Sequence, residues 1–401
     1  MPDHYRYGTQ FVKLNKLHHR PRRAGKLMNL ITTKQKNILT GAAFAFLSLA
    51  LGACTSTADI AGPAAAGLSN TETSTEAPAE NPTPEIPTAT PIPAATGHIL
   101  FTSNRDGTND LYMVTSDSTE TTRITVDASV DESGTPQLSP DGTRVAFAAT
   151  IGNNTDIYVV DLASKVISRI TNSEGKDSSP SWSPDGSRLV FESSQDGNFE
   201  IYAINADGSN LIRLTNEAEG DNNPVWSPNS GDIVFSSGRF GNADLLLTSL
   251  NGSFFTLTTN PGPDNNPVWS PDGSRIAYLE YLDGLTNICV IGRDGLNRTC
   301  ITPNPGYYQT PVWSPDGNRI AAIEGTSIYI ISVADRQVQE LSQAGIEPLG
   351  IPTWSPDGLR LAFQASANGN MEIFQVLILN SEFTQITVDS GVDGKPVWTA
   401  N

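Results

Sequence analysis

The chain has 401 residues, of which 38% are hydrophobic and 17% are charged, with 34 glycines and 27 prolines. This length suffices for two or three ordinary domains or for one large repeat domain, and the glycines and prolines require frequent turns. Residues 1–53 hold nine of the 25 basic side chains and one of the 43 acidic ones, so the remainder has a net charge near −26. Such an acidic chain repels phosphate backbones, which argues against nucleic acid as a partner. The charge favours cationic partners or serves only to keep the protein soluble.

The first predicted element is an export signal. Lys34 and Lys36 precede a short apolar run over residues 38–51, which ends in the sequence Leu-Gly-Ala-Cys at Cys54. A basic segment followed by an apolar stretch too short to span a bilayer is typical of a signal peptide. The ending resembles the bacterial lipobox, and this resemblance implies cleavage before Cys54 and acylation of its sulfur. The alternative is a membrane-spanning anchor that ends in an incidental cysteine.

The second predicted element is a tether over residues 54–97, rich in Thr, Ser, Ala and Pro. Such a segment cannot bury enough apolar surface to fold, and its prolines keep it extended, so we expect it to be disordered. The signal peptide is assigned to residues 1–53, with Met28 as an alternative start. Together these segments predict a domain outside the cytoplasm, lipid-anchored to a bacterial membrane and either periplasmic or at the cell surface.

Residues 98–401 form a repeat array. The phrase Pro-x-Trp-Ser-Pro-Asp-Gly and its degenerate forms begin at seven prolines: Pro136, Pro180, Pro224, Pro267, Pro311, Pro352 and Pro396. All six tryptophans occupy one slot of the repeat, and Leu138 fills the seventh slot. Successive slots are 44, 44, 43, 44, 41 and 44 residues apart. A period in the low forties is typical of propeller blades.

A single unit, residues 181–215, predicts four antiparallel strands. The strands are Ser181-Trp182-Ser183, RLVFE from Arg188, EIYAI from Glu200 and LIRLT from Leu211. Ser-Pro-Asp-Gly fits a type I turn between the first two, and Asp-Gly pairs mark the other turns as hairpins. The second strand is apolar at nearly every position, as expected where both faces of a sheet are covered. The sequence therefore predicts an all-β fold of four-stranded blades.

The ends of the array predict how it closes. Residues 98–125 supply three strands of a blade but lack the Trp-Ser-Pro strand, and residues 396–401 supply that strand alone. Six complete units and this composite make a seven-bladed β-propeller, whose ring is closed by the C-terminal strand joining the N-terminal blade. Such closure leaves few free strand edges.

With the sequence SWSPDGSRLVFESSQDGNFEIYAINADGSNLIRLT in view, the repeat over residues 98–401 resembles the TolB-type, WD40-like propeller repeat. The resemblance implies a role through protein–protein contact in the periplasm. Members of that family carry a six-bladed propeller behind an N-terminal α/β domain. This chain departs from that pattern, because it has seven units and a tether where the α/β domain would stand.

The histidines bear on catalysis, because only His98 follows the predicted cleavage site. One histidine cannot build the His-ligated metal centre of the polysaccharide lyases with similar repeats, so we expect neither metal nor cofactor. The predicted function is a non-catalytic scaffold that binds an envelope protein or peptide, with a cationic partner favoured by charge. Two alternatives stay open: a carbohydrate-active or other hydrolytic propeller that uses carboxylates, and a purely structural envelope component.

A binding site is predicted at one mouth of the central channel. In each blade one residue stands three positions before the repeat proline. It is an aspartate in four blades: Asp177, Asp221, Asp264 and Asp393. In the other three blades it is Ser133, Tyr308 or Leu349. We expect this acidic arc, with Tyr307 and Tyr308 beside it, to receive a basic peptide or a cation. The alternative is that each aspartate caps its own turn through backbone hydrogen bonds.

The cysteines predict one disulfide. Aligned with the other units, Cys289 takes the slot of Tyr202, and Cys300 takes the slot of Arg213. Neighbouring antiparallel strands bring facing side chains close enough for a bond, and a secreted chain favours its formation. We therefore expect a Cys289–Cys300 disulfide, with two buried free thiols as the alternative.

Overall fold

A computed structural model describes residues 97–117, 120–131, 134–367 and 369–399. Every regular element in these ranges is a β-strand, and they contain no helix long and apolar enough to cross a membrane. The predicted signal peptide, Cys54 and all of the predicted tether except Gly97 lie outside the described residues.

The strands are numbered in chain order. The first fourteen are β1 (His98–Ser103), β2 (Asp110–Thr115), β3 (Thr121–Arg123), β4 (Gln137–Leu138), β5 (Arg144–Ile151), β6 (Asn154–Asp161), β7 (Ile167–Arg169), β8 (Asp177–Trp182), β9 (Arg188–Ser193), β10 (Glu200–Asn205), β11 (Ile212–Arg213), β12 (Asp221–Trp226), β13 (Asp232–Ser237) and β14 (Asp244–Ser249). The rest are β15 (Phe255–Thr256), β16 (Asp264–Trp269), β17 (Arg275–Leu282), β18 (Leu285–Gly292), β19 (Thr299–Cys300), β20 (Val312–Trp313), β21 (Arg319–Glu324), β22 (Ser327–Ser332), β23 (Val338–Leu341), β24 (Glu347–Trp354), β25 (Arg360–Ala367), β26 (Asn370–Leu377), β27 (Glu382–Gln385) and β28 (Asp393–Thr399).

These strands form seven antiparallel sheets of four strands each, which confirms the predicted seven-bladed propeller. Blade 1 has the order β28-β1-β2-β3, and blades 2 to 7 follow as consecutive groups of four strands from β4–β7 to β24–β27. Strand β28 pairs with β1 from His98 opposite Thr399 to Ser103 opposite Asp393. The C-terminal strand therefore supplies the innermost strand of the N-terminal blade, as the sequence predicts.

The hydrophobic core is divided among the seven joints between neighbouring blades. One cluster joins Leu100 and Leu111 of blade 1 to Phe147 of blade 2, and another joins Ala362 of blade 7 to Trp398 of blade 1. Each sheet is thus covered on both faces, which explains the continuous apolar runs of the two middle strands.

The repeated Ser-Pro-Asp-Gly turn is fixed by its own side chains. In the turn of blade 3, Ser183 Oγ donates to Asp185 Oδ1 at 2.6 Å, and the backbone nitrogen of Ser187 donates to the same oxygen at 3.0 Å. These hydrogen bonds, led by that from Ser183, lower the pKa of Asp185 to about 2. Gly186 closes the turn with φ of 66°, a conformation that glycine adopts without strain.

Candidate functional site

The innermost strands of all seven blades surround a central channel, which holds a cavity of about 410 Å³. Each blade contributes the short segment around its repeat proline. Uncharged side chains line this cavity, among them Pro180, Pro224, Pro267, Asn223, Asn266 and Thr310. Six of the seven repeat prolines are therefore wall residues of the channel as well as markers of the repeat.

Several innermost strands carry a bulge immediately before the proline. The pairing of β12 with β13 shifts between Asn222 and Val225, and the pairing of β16 with β17 shifts at the equivalent place. The residue before the proline has a positive φ: 54° at Asn223 and 55° at Asn266. Asparagine tolerates this left-handed region better than most residues. The bulge explains why asparagines stand at these places in the channel wall.

Hydrogen bonds within and between blades hold polar groups of the channel wall. Asn266 Nδ2 donates to Thr310 Oγ1 of the next blade at 2.9 Å. Glu192 accepts from Ser179 Oγ at 3.0 Å and from the backbone nitrogen of Asn223 at 2.8 Å. These bonds order the amide and hydroxyl groups before any ligand arrives.

A lysine occupies the bulge position of blade 1. Lys395 has φ of 51°, close to the values of the two asparagines. Its ammonium donates to the carbonyl oxygens of Asp131 at 2.9 Å and Gly134 at 2.7 Å, in the segment that enters blade 2. The fold therefore accepts a lysine at this slot.

The four aspartates predicted at the mouth do not present their carboxylates to the channel. Each begins an innermost strand, and each is fully buried within the blades; they are Asp177, Asp221, Asp264 and Asp393. Ser173, in the loop before β8, donates to both oxygens of the first of them at 3.1 Å. This burial corrects the expected acidic arc. The donor to Asp177 is a side-chain hydroxyl, so the alternative, in which each aspartate caps its own turn through backbone hydrogen bonds, stays a prediction.

Two of these aspartates are paired with arginines from the loop between the two middle strands of the same blade. Arg239 donates to Asp221 at 2.9 Å, and Arg105 donates to Asp393 at 2.8 Å. Burial raises the pKa of both carboxyls, and the arginines oppose that rise. Each ion pair ties the start of an innermost strand to the rest of its blade.

Asp264 has no arginine beside it among the contacts of the described residues. Asn260 Nδ2 donates to it at 3.1 Å. Burial raises the pKa of Asp264 to about 6, against the hydrogen bonds from Thr258 and Asn260, and the nearby carboxylates of Glu280 and Asp244 add to the rise. Asp264, like Asp177, therefore lacks the arginine hydrogen bond that Asp221 and Asp393 have.

The two predicted tyrosines lie in different environments. Tyr308 is buried in the core between blades 5 and 6 and meets Tyr329 edge to face. Tyr307 is 71% exposed. The expected aromatic patch beside the acidic arc is therefore corrected to one exposed ring, and of the other two positions Leu349 is half-buried while Ser133 lies outside the described residues.

The channel asparagines were not among the predicted site residues, although a signal for them exists in the sequence. Asn223 and Asn266 stand directly before the repeat proline, where an Asn-Pro pair favours a turn or bulge. Buried threonines were also missed. Thr125 Oγ1 donates to Asp110 at 2.7 Å, and threonines at the equivalent position donate to the equivalent carboxylates in other blades. The Arg-x-Thr sequence that recurs at the end of the outermost strands marks these threonines in the sequence.

Cys289 and Cys300 face each other directly across β18 and β19, in the register that the alignment predicts. The same register holds a tyrosine opposite an arginine in three other blades: Tyr112–Arg123, Tyr158–Arg169 and Tyr202–Arg213. The two cysteines are joined by a disulfide in the structure. Formation of this bond in the oxidised chain stays a prediction, which thiol counting tests.

Within the described residues there are two groups of side chains, each of which brings three possible metal ligands together. In the group Glu372, Asp389 and Asp393, Arg105 already lies between two of the carboxylates, at 2.7 and 2.8 Å. The other group contains the two cysteines and Glu280. Neither group borders the central channel.

Residues 130–283 and 283–401 match the family described as TolB beta propeller domain. Over 88 residues, 21% of the chain, the sequence is 35% identical to the Tol-Pal system protein TolB of Francisella tularensis subsp. tularensis (strain WY96-3418) and covers 20% of that protein. The chain thus spans about a fifth of the length of this curated relative.

Two solved structures show the same fold. TolB from Acinetobacter baumannii matches with a TM-score of 0.51 at 19% identity, over 77% of this chain and 68% of that chain. An oligogalacturonate lyase in complex with manganese matches with a TM-score of 0.60 at 15% identity, over 70% of this chain and 86% of that chain. At these identities the likeness concerns the propeller architecture alone.

Proposed function

Because the chain belongs to the TolB β-propeller family, we propose that its propeller is a non-catalytic scaffold that binds an envelope protein or peptide at the central channel. The observation that carries this proposal is the channel itself, to which all seven blades contribute. The name of the matched relative, a Tol-Pal system protein, supports an envelope protein as the partner.

The chemistry of the channel wall favours binding over catalysis. Its prolines, amides and hydroxyls pack against a ligand or hydrogen-bond to it, but these groups do not act as general acids or bases near neutral pH. An extended peptide offers N–H and C=O groups that match amide side chains such as Asn223 and Asn266. The hydrogen bond that already orders the Asn266 amide lowers the entropy cost of binding there.

The charge of the chain favours a cationic partner. Residues 54–401 have a net charge near −26, which attracts basic segments over a distance set by the salt concentration. Since the four predicted aspartates are buried, this attraction acts through the field of the whole body and not through an acidic ring at the mouth. Association should therefore slow as salt is added.

The proposed location is outside the cytoplasm, in the periplasm or at the cell surface. Acylation of Cys54 would anchor the chain to a bacterial membrane, and the Thr- and Pro-rich tether would hold the propeller away from the lipid surface. Stable anchoring requires more than one acyl chain, as the lipobox resemblance implies.

The channel proposal is tested by capturing partners from a native envelope with the full chain and repeating the capture with Asn266→Lys. The new cation would enter a channel that receives a cationic ligand, and Lys395 shows that the backbone accepts lysine at this slot. We expect the affinity for the co-eluting partner to fall at least about tenfold, or 1.4 kcal/mol.

The matched control is Asn210→Lys, because Asn210 also has a positive φ, 57°, but lies exposed in a hairpin turn outside the channel. This variant should bind like the unmodified chain. Equal binding by both variants, with equal melting curves, would place the partner somewhere other than the channel.

The non-catalytic part of the proposal has its own test. The full-length protein is incubated with a panel of glycans, and the glycans are then examined for cleavage. We expect no turnover. Turnover that disappears on carboxylate substitution would instead support the hydrolytic alternative.

A further inference from the structure

A second chemical feature lies in blade 5, at the outer pair of strands. Cys289 is fully buried and Cys300 is half-buried, and the carboxylate of Glu280 lies beside both sulfurs. Its Oε2 atom is 3.4 Å from one sulfur and 3.3 Å from the other. These three residues bring one ligand atom each within 4.8 Å of one another.

The two oxygens of Glu280 have different neighbours. Arg298 and Asn260 both donate to Oε1, the second of them at 3.0 Å. The contacts of Oε2 are the sulfur atoms. Disulfide sulfurs have no proton to donate, whereas two thiols would each offer one. The position of Oε2 therefore suits the reduced form of the cysteine pair.

We propose that reduction of the Cys289–Cys300 bond creates a zinc site, in which the two sulfurs and Glu280 Oε2 bind one Zn²⁺ and water completes the coordination. Zinc takes thiolate and carboxylate ligands in tetrahedral geometry, and three protein ligands with one water is a common arrangement. Without the metal the two thiols keep their protons, because thiolates would be repelled by the carboxylate beside them. The divalent ion supplies the positive charge that lets both sulfurs bind as thiolates.

The chemical steps balance with an external dithiol as the reductant. The dithiol transfers two electrons and two protons to the protein disulfide, yielding two protein thiols and a cyclic disulfide of the reductant. Zn²⁺ then displaces the two thiol protons, which pass to solvent. The half-buried Cys300 is the sulfur that a reductant reaches first.

This site is separate from the channel, because none of its three ligands lines the channel cavity. Zinc binding and partner binding can therefore be measured independently. A failure of the zinc proposal leaves the channel proposal intact.

The test uses the full chain carrying Cys54→Ser, so that the two blade cysteines are the only ones present. Thiol counting on the unfolded, unreduced chain should give no free thiol, and after reduction it should give two. Zn²⁺ affinity is then measured by competition with a chromophoric chelator, after the reductant has been removed without air. We expect one Zn²⁺ per reduced chain and at least 100-fold weaker binding to the oxidised chain.

Two variants separate the ligand set from nonspecific binding. Cys300→Ser should lose the site, and Glu280→Gln should weaken Zn²⁺ binding about tenfold in the reduced chain. The matched control is Glu324→Gln, at the same strand position of blade 6, where Tyr329 and Glu340 stand opposite each other. With Co²⁺ in place of Zn²⁺, the reduced chain should show thiolate-to-metal charge-transfer absorption that the oxidised chain lacks.

Circular dichroism of the reduced chain, with and without Zn²⁺, shows whether the fold persists. Zinc should raise its melting temperature. The proposal is overturned by a folded reduced chain that binds no Zn²⁺, by a Glu280→Gln variant that binds as tightly as its parent, or by a reduced chain that stays unfolded when Zn²⁺ is present.

Discussion

At the scale of single residues, the propeller buries a carboxylate at the start of four of its seven innermost strands. Asp221 and Asp393 are compensated by arginines, whereas Asp264 is held by Asn260 and by hydroxyl groups. A carboxylate removed from water without an opposite charge favours its neutral form. The difference between these blades predicts different responses to pH.

The pKa of Asp264, about 6, lies above its ordinary value of 3.8. The folded chain consequently binds this proton more tightly than the unfolded chain, and the free energy of unfolding falls as pH rises from about 4 to 6. Removing the charge with Asp264→Asn should flatten this fall and stabilise the chain at pH 8 by up to about 3 kcal/mol. Urea unfolding at pH 5 and pH 8 measures the effect.

The comparison variant is Asp221→Asn. It should stabilise the chain at pH 8 by less than Asp264→Asn does. Burial raises the pKa of Asp221 as well, but Arg239, which binds its carboxylate at 2.9 Å, opposes that rise and would lose this partner. If Asp264→Asn shifted stability equally at pH 5 and pH 8, burial of an uncompensated charge would not be the cause.

At the scale of elements, arginines and tryptophans clamp neighbouring blades together. Arg275 of blade 5 donates to the carbonyl oxygen of Gly317 at 2.8 Å and lies 4.9 Å from the ring centre of Trp313, both in blade 6. The tryptophan in turn donates through its indole to the carbonyl oxygen of Val268 at 3.2 Å. The joint thus combines an apolar contact, a cation–π contact and two hydrogen bonds.

Replacing the clamp with Arg275→Ala should lower the free energy of unfolding by about 2 kcal/mol, from the lost hydrogen bond and cation–π contact. Urea unfolding at neutral pH is the measurement. Arg336→Ala is the control, since Arg336 is exposed and donates to Thr299 at the surface, and its loss should cost less than about 0.5 kcal/mol. Equal losses in both variants would contradict a clamping role.

At the scale of the whole molecule, stability depends on closing the ring. Strand β28 covers the edge of β1 and places Trp398 in the core between blades 7 and 1. Its removal exposes a strand edge and an apolar joint at the same time. Ring closure therefore links the two ends of a 304-residue array, residues 98–401, in one cooperative unit.

Deleting residues 394–401 should abolish the cooperative melting transition, because the lost joint is comparable to the total stability of a domain. A synthetic peptide of residues 391–401, added in excess, should restore it. The measurement is circular dichroism against temperature. A truncated chain that melts like the parent would show that closure contributes little.

Membrane anchoring is also a property of the whole chain. Cells that export the chain should yield it in the detergent phase of a phase-separation assay, with acyl chains detectable on its N-terminal peptide. Cys54→Ala should move the protein to the aqueous phase with its signal peptide uncleaved. Aqueous partitioning of the unmodified chain would contradict the lipobox interpretation.

The sequence by itself determined the number of blades, the four strands of each, the closure by the C-terminal strand and the register of Cys289 against Cys300. These properties follow from periodicity and turn chemistry, which repeat along the chain and are local. Only the tertiary structure decided which polar residues face the channel. The bulge in β12 directs Asn223 to the channel wall, while Asp221 stays buried. Which way a side chain points at a bulge depends on how the neighbouring strand pairs, and no local sequence pattern specifies that pairing.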